Sequence, residues 1–240
     1  MVIEDYCVKM ENVHIIMPVK DSIETAEQAI RAIVHSGYSL TVYDDYSSEI
    51  TATRLDSLQK ELGFRVVHIA SYLNHPSPNY RWVLQEAQRD SLASGSHLVI
   101  VESDVLVKAS TIHMMCQAVK DGVGMVAAVT TDEAGVINFP YSYASNWKSD
   151  AKCKKRLSFC CTLLTNRFLQ AYDFMQLDPE KNWYDVTISH RSRQLGFENI
   201  LQISNPVVHK PHSSRPWKKL KHTNPILYYW RKLIYRRDRI

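Results

Sequence analysis

Glycine is scarce in this chain, with seven residues in 240. None is placed to build the G-x-G-x-x-G turn of dinucleotide-binding proteins or the G-x-x-x-x-G-K loop that cradles phosphates. Both motifs need glycine so that backbone can approach a pyrophosphate, so a dehydrogenase and a P-loop NTPase are disfavoured. Long apolar runs are also missing, and nothing approaches the roughly 20 residues that span a bilayer. Met1–Asp5 lacks the basic start and apolar core of a secretory leader, so the expected location is the cytoplasm. Cysteine is sparse and odd in number: Cys7, Cys116, Cys153, Cys160 and Cys161, at irregular spacing. That argues against a disulfide framework and for a reducing compartment. The spacing of Cys153, Cys160 and Cys161 matches no common zinc pattern, and buried free thiols are expected. No repeat or low-complexity segment is evident.

What remains is a 45% hydrophobic chain, long enough for one α/β domain plus an appendage. The net charge of +4 is unevenly spread. From His209 onward there are ten Lys/Arg and one Asp, a local +9, which leaves −5 on the rest. The pattern predicts two parts, a body over 1–214 and a basic extension over 215–240.

Strands and helices are expected to alternate through the first half. Strands are read at 14–19, 40–43, 65–69, 97–101 and 124–129, as short apolar or β-branched runs. Helices are read at 22–35, 50–62, 80–92 and 110–120. The first carries Ile23, Ala26, Ala29, Ile30 and Ile33 at helical spacing and stops at Gly37. This alternation implies βαβ units and a mostly parallel sheet flanked by helices. The second half is less regular. It is read as loop or short strand at 135–146, strand at 157–165, helix at 167–173, helix at 185–195 with Asp185 near its N-cap, and a last strand at 200–208 broken by Pro206.

Three acidic or polar constellations follow strands: Pro18-Val19-Lys20-Asp21-Ser22, Asp44-Asp45, and Glu102-Ser103-Asp104. In an open α/β sheet the carboxyl ends of the strands border the ligand crevice, so the three can converge. Glu102 and Asp104, at i and i+2, share a face on extended chain. Paired hard oxygens of this kind suit Mg²⁺ or Mn²⁺ bridging phosphates.

These residues resemble the GT-A glycosyltransferases of family 2, a Rossmann-like fold. The resemblance runs over about residues 13–214. Ile15-Ile16-Met17-Pro18-Val19 and Thr41-Val42-Tyr43-Asp44-Asp45-Tyr46-Ser47-Ser48 follow the family's N-terminal layout, with Tyr46 where the family has Gly. The resemblance implies a nucleotide site formed by Pro18, Val19, Lys20, Asp44, Asp45, Asn74, Arg81 and Glu102, with Asp45 contacting the base. It implies that Glu102-Ser103-Asp104 stands for the family's Asp-x-Asp motif and that Asp104 binds the metal, Mn²⁺ or Mg²⁺. His209 corresponds to a late histidine that reaches the metal, with His212 as the alternative. The stretch from Asp185 through Arg191 to Gly196 keeps the spacing of the family's acid–Arg–Gly helix, although Tyr184 and Thr187 stand at positions that are acidic there. Asp185 is thereby the implied general base; a capping role for it is compatible.

The implied activity is inverting transfer of a hexosyl or related sugar from a nucleoside-diphosphate sugar to an acceptor hydroxyl, in cell-surface polysaccharide or glycolipid synthesis. The acceptor is expected to be a glycan or a lipid-linked molecule. Two alternatives stay open, a catalytically silent nucleotide- or glycan-binding domain and a sugar nucleotidyltransferase. The basic, aromatic tail after Pro225 is read as an amphipathic helix suited to the inner face of an anionic membrane, or else packed on the body. Nucleic acid is the least favoured partner.

Overall fold

The computed structural model describes residues 12–181 and 183–210, and positions 224, 226, 227, 229, 230 and 234 of the tail. Calls on Met1–Asp5, Cys7, His212 and most of 215–240 lie outside the described residues. The body alternates strictly at first: β1 (Val13–Val19), α1 (Ile23–Val34), β2 (Ser39–Asp44), α2 (Glu49–Leu62), β3 (Arg65–His68), α3 (Tyr80–Ser94) and β4 (His97–Val101). It continues with β5 (Val105–Leu106), α4 (Thr111–Gln117), β6 (Val123–Thr131), β7 (Ala151–Lys152), β8 (Cys161–Leu164), α5 (Asn166–Ala171), α6 (Tyr184–Gln194) and β9 (Glu198–His209).

The strands form one sheet in the order β3-β2-β1-β4-β8-β6-β9-β5, with β7 paired to β9. From the pairings, β3, β2, β1, β4, β6 and β9 run one way, while β5, β7 and β8 oppose them. The parallel half is buried on both faces, so its strands read as continuous apolar runs. Side-chain alternation divides the core in two. Val13, Ile15, Met17 and Val19 of β1 join Val99 and Val101 under α1, α2 and α4. Ile16, Leu98 and Ile100 join Val83, Leu84 and Ala87 of α3 on the other face. On α1 the expected stripe is buried: Ala26, Ala29, Ile30 and Ile33 are each fully enclosed. Complete burial of an aliphatic side chain of this size contributes about 1.5–3 kcal/mol.

Three expectations need correction. Strand pairing in the 157–165 segment is confined to β8, because Leu157 and Phe159 are buried by loop packing rather than by a ladder. β9 runs through Pro206 as one strand. Its ladder with β6 jumps from Ala128↔Gln202 to Thr130↔Val207, so residues 203–206 bulge and the proline needs no ladder N–H. The helix after Ser110 ends at Gln117 rather than Lys120. Asp185 lies near the N-cap of α6 as expected, in its first turn, and the cap residue itself is Trp183.

One glycine is set by close approach. A Cβ on Gly124 of β6 would meet Phe197 Cβ at 2.7 Å and Ser192 Oγ at 2.5 Å, where the turn from α6 to β9 crosses the strand. Gly196, at φ 85°, makes that turn.

Candidate active site

The carboxyl ends of β1 and β2 are bound together by their own backbone and side chains. Asp45 N–H donates to Val19 O at 2.8 Å, Asp21 N–H to Ser47 Oγ at 2.9 Å, and Ser48 N–H to Asp21 Oδ1 at 2.8 Å. The Ser48 amide holds the Asp21 carboxyl below its ordinary pKa. Here Asp21, Ser22 and Tyr46 adopt φ of 55°, 54° and 60°, a left-handed conformation that costs non-glycine residues energy. Tyr46 thus takes a backbone conformation that glycine adopts more readily. It also uses its side chain: its hydroxyl donates to Leu73 O and accepts from His75 N–H.

The two aspartates of β2 are both enclosed. Asp44 accepts from Ser47 N–H at 3.0 Å, and its Oδ2 lies 2.8 Å from His68 Nδ1. Asp45 accepts from Ser77 Oγ at 2.7 Å, Asn79 N–H at 2.9 Å and Asn79 Nδ2 at 2.7 Å. It thereby fastens the loop before α3. Asn74 is exposed on that loop, and Arg81, at the start of α3, donates to Leu177 O at 3.2 Å. Lys20 is half-exposed at the end of β1 and donates to Tyr46 O.

At the end of β4 the pairing pattern assembles a different group. Antiparallel pairing of β4 with β8 matches Val101 to Cys161, and Glu102 N–H then donates to Cys160 O at 3.0 Å. Antiparallel pairing of β5 with β9 matches Val105 to His209, and Lys210 N–H donates to Asp104 O at 2.8 Å. The side chains of Glu102, Cys160 and His209 consequently meet, with one ligand atom from each within 4.8 Å of the others. His209 Nε2 is 3.5 Å from Asp104 Oδ2, and both side chains are almost wholly enclosed, at 3% and 2% exposure. His209 Nδ1 lies 2.8 Å from Phe139 O. A carbonyl only accepts, so Nδ1 carries a proton toward Phe139 O, and Nε2 is turned toward Asp104 and the cluster. An imidazole oriented this way by a carbonyl is prepared to ligate a metal.

Asp185 approaches from α6. Its Oδ2 is 3.2 Å from Arg156 Nη1, and its Oδ1 accepts from Val186 N–H at 2.9 Å. An acid in the first helical turn also meets the favourable end of the helix dipole. The Arg156 guanidinium lies 5.1 Å from the Trp183 ring and 5.8 Å from the Phe139 ring. Phe139 thus touches both groups, through its ring to Arg156 and through its carbonyl to His209. Sequence reasoning missed Arg156 and the placement of Cys160, because both depend on pairings far apart in the chain.

A cavity of about 710 Å³ opens at the other, amino end of the sheet, lined in part by His14, Thr41, Phe64, Arg65 and Asp90. Its His14 has a lowered pKa, chiefly from burial, and hydrogen-bonds Thr41 at 3.0 Å. The cavity holds none of the acids described above.

No protein-family model and no curated protein sequence matches this chain. Solved structures do. A mannosyltransferase from Pyrobaculum calidifontis, in complex with GDP-Man and Mn²⁺, superposes with a TM-score of 0.61 at 14% identity over 93% of this chain. GalNAc-T7 with UDP, GalNAc and Mn²⁺ gives 0.62 at 10% identity over 85%. Glucosyl-3-phosphoglycerate synthase from Mycobacterium tuberculosis, with Mn²⁺, UDP-glucose and phosphoglyceric acid, gives 0.55 at 17% over 88%. The chain spans 64%, 45% and 75% of those proteins, respectively. At these identities the likeness establishes the fold, and that fold is GT-A.

Proposed function

We propose that this chain is a metal-dependent, inverting glycosyltransferase of the family 2 type. It would move a sugar from a nucleoside-diphosphate sugar to an acceptor hydroxyl in cell-surface polysaccharide or glycolipid synthesis. One observation carries the reading: Glu102, Asp104 and His209 meet at the carboxyl end of a GT-A sheet. The solved structures of similar fold hold Mn²⁺ with nucleotides or nucleotide sugars, which supports the same ligand class here.

Oxygen and imidazole donors fit Mn²⁺ or Mg²⁺, and Glu102, Asp104 and His209 would hold the ion. Bound there, it would neutralise charge growing on the departing diphosphate. Lys20 and Lys210 stand at the ends of β1 and β9 and would add positive charge to the same group. Pro18, Val19, Asp44 and Asp45 form the floor for base and ribose, with Asn74 and Arg81 at the rim. A carboxylate has about four acceptor positions, so Asp45 retains capacity for a base N–H beside its internal donors. Asp185 takes the proton of the acceptor hydroxyl as that oxygen attacks the anomeric carbon opposite the diphosphate, and the displacement inverts the centre. Arg156 positions this carboxylate.

The test of the base is Asp185→Asn. Transfer should fall by about 10²–10⁴-fold while nucleotide binding stays nearly intact. Persistent transfer would remove Asp185 from the role. A second reading, a silent binding domain, is favoured by the Arg156 guanidinium already paired with Asp185 and by Tyr184 in place of an acid. It predicts nucleotide binding with neither donor hydrolysis nor transfer. A nucleotidyltransferase would instead release pyrophosphate.

The acceptor is read as a glycan or lipid-linked molecule met at a membrane surface. Most of the tail lies outside the described residues. Of the described positions, Ile226, Leu227, Tyr229, Trp230 and Ile234 are helical, and Asn224 Oδ1 accepts from Leu227 N–H at 3.0 Å as an N-cap. Ile226, Tyr229, Trp230 and Ile234 are more than half exposed, at spacings that share one helix face. Basic residues such as Arg231, Lys232, Arg236 and Arg237 surround them in sequence, which suits an anionic surface. No helix among the described residues is long and apolar enough to cross a membrane. Flotation with anionic vesicles should lose the protein when 216–240 are removed; equal flotation of both forms would contradict the assignment.

A further inference from the structure

We propose that Cys160 is a further protein ligand of the metal site, giving it a mixed sulfur, nitrogen and oxygen donor set that holds Zn²⁺ more tightly than Mn²⁺. The inference rests on reading the Glu102–His209 cluster as the metal site, and it adds the identity of a further ligand and the metal preference that follows.

The sheet itself delivers the thiol. The β4–β8 ladder sets Cys160 beside Glu102, with Cys160 Sγ 3.5 Å from Glu102 Oε2 and 3.4 Å from Ser158 Oγ. The residue is 3% exposed, so its sulfur belongs to the interior of the site rather than to its rim. Its neighbour Cys161, the first residue of β8, lies 3.8 Å from Met115 Sδ, away from Glu102. The two adjacent cysteines therefore have different neighbours.

The geometry is close to what a small ion needs. Ligand atoms at zinc distances of about 2.0–2.3 Å in a tetrahedral set lie about 3.6 Å apart. Glu102, Cys160 and His209 already present atoms within 4.8 Å of one another, so side-chain rotation by about an ångström would close the set. Asp104, against His209 Nε2, completes the acidic wall. The chemistry follows from donor softness: carboxylate and imidazole accept Mn²⁺ or Mg²⁺, whereas a thiolate selects Zn²⁺ and its like. On binding, the metal replaces the thiol proton, which leaves to solvent; no electron is transferred.

The experiment uses the whole chain stripped of metal by a chelator and titrated with Co²⁺ as a spectroscopic stand-in for Zn²⁺. A thiolate ligand produces an intense charge-transfer band in the near ultraviolet. The expected result is that band in the wild type and in Cys161→Ser, its loss in Cys160→Ser, and its disappearance when Zn²⁺ displaces the cobalt. Zn²⁺ affinity should drop about tenfold or more in Cys160→Ser, with a smaller change for Mn²⁺. Should Cys160→Ser fold poorly, the wild-type band and its retention in Cys161→Ser still decide the case. Cobalt bound without the band, or a band that survives Cys160→Ser, would overturn the proposal while leaving the transferase reading standing. No binding of cobalt, and no effect of Mn²⁺ on nucleotide binding, would overturn both.

Discussion

The two acid pairs at the carboxyl end of the sheet differ in what surrounds them. Asp44 and Asp45 are met by fixed donors: backbone N–H groups, the Ser77 hydroxyl and the Asn79 amide, with the His68 ring against Asp44. Glu102 and Asp104 are met by the His209 imidazole and by the Cys160 thiol, whose S–H faces Glu102 Oε2 at 3.5 Å. Backbone and amide donors satisfy a carboxylate and hold a loop in place; an imidazole and a thiol can each give up a proton and share a cation with the carboxylates beside them. On the proposed reading, carboxylates at the same end of parallel strands build the walls of a pocket in one place and a metal site in the other.

The sharpest way to break this comparison is to neutralise an acid of the second pair. Asp104→Asn should remove the metal dependence of nucleotide binding and lower transfer by about 10³-fold or more, with little change in the melting midpoint of the unliganded protein. Asp45→Ala should do the reverse. It leaves the Ser77 hydroxyl and both Asn79 donors without their acceptor, and should cost about 3 kcal/mol of stability by denaturant titration. The response of any remaining nucleotide binding to Mn²⁺ should persist. If both variants behaved alike, the distinction between the pairs would fail.

The smallest effect is a pH dependence confined to the first pair. Burial lowers the His68 pKa, but the Asp44 and Asp56 carboxylates on its two nitrogens outweigh that and raise it above 6.5. A raised imidazole pKa means that protonated His68 favours the fold. The contribution is complete below the unfolded value near 6.5 and is lost as pH rises through the folded value. His68→Gln should therefore lower the melting midpoint more at pH 6 than at pH 8.5. A larger loss at the higher pH would show that the ring is held neutral.

The β3-β2-β1-β4 half was legible because local signals agree there. Buried parallel strands read as apolar runs, α2 is capped by Gly63, and the turn after α1 carries Gly37, with left-handed φ of 78° each. The second half depends on partners far away in sequence. Leu157 and Phe159 are apolar because they are buried, which says nothing about pairing. β5 and β7, two residues each, are too short to show a period. Asp44, Asp45, Glu102, Asp104 and His209 could be placed at strand ends from sequence. That Cys160 lies opposite Glu102, and that Arg156 reaches Asp185, follows only from the β4–β8 ladder and from packing across 29 positions. Nothing in the residue type of Tyr46 announces its left-handed φ of 60°.

The most direct test of the account is thermal-shift measurement of the wild-type chain and Asp104→Asn against UDP, GDP, CDP and dTDP, each with and without Mn²⁺. A ligand that binds only the native state stabilises it by about 2.7 kcal/mol at a hundredfold excess over its Kd. The account predicts that one of the four raises the wild-type midpoint when Mn²⁺ is present and does so far less without it, and that Asp104→Asn loses the metal-dependent part. No shift with any nucleotide, or a shift indifferent to both Mn²⁺ and Asp104, would contradict it.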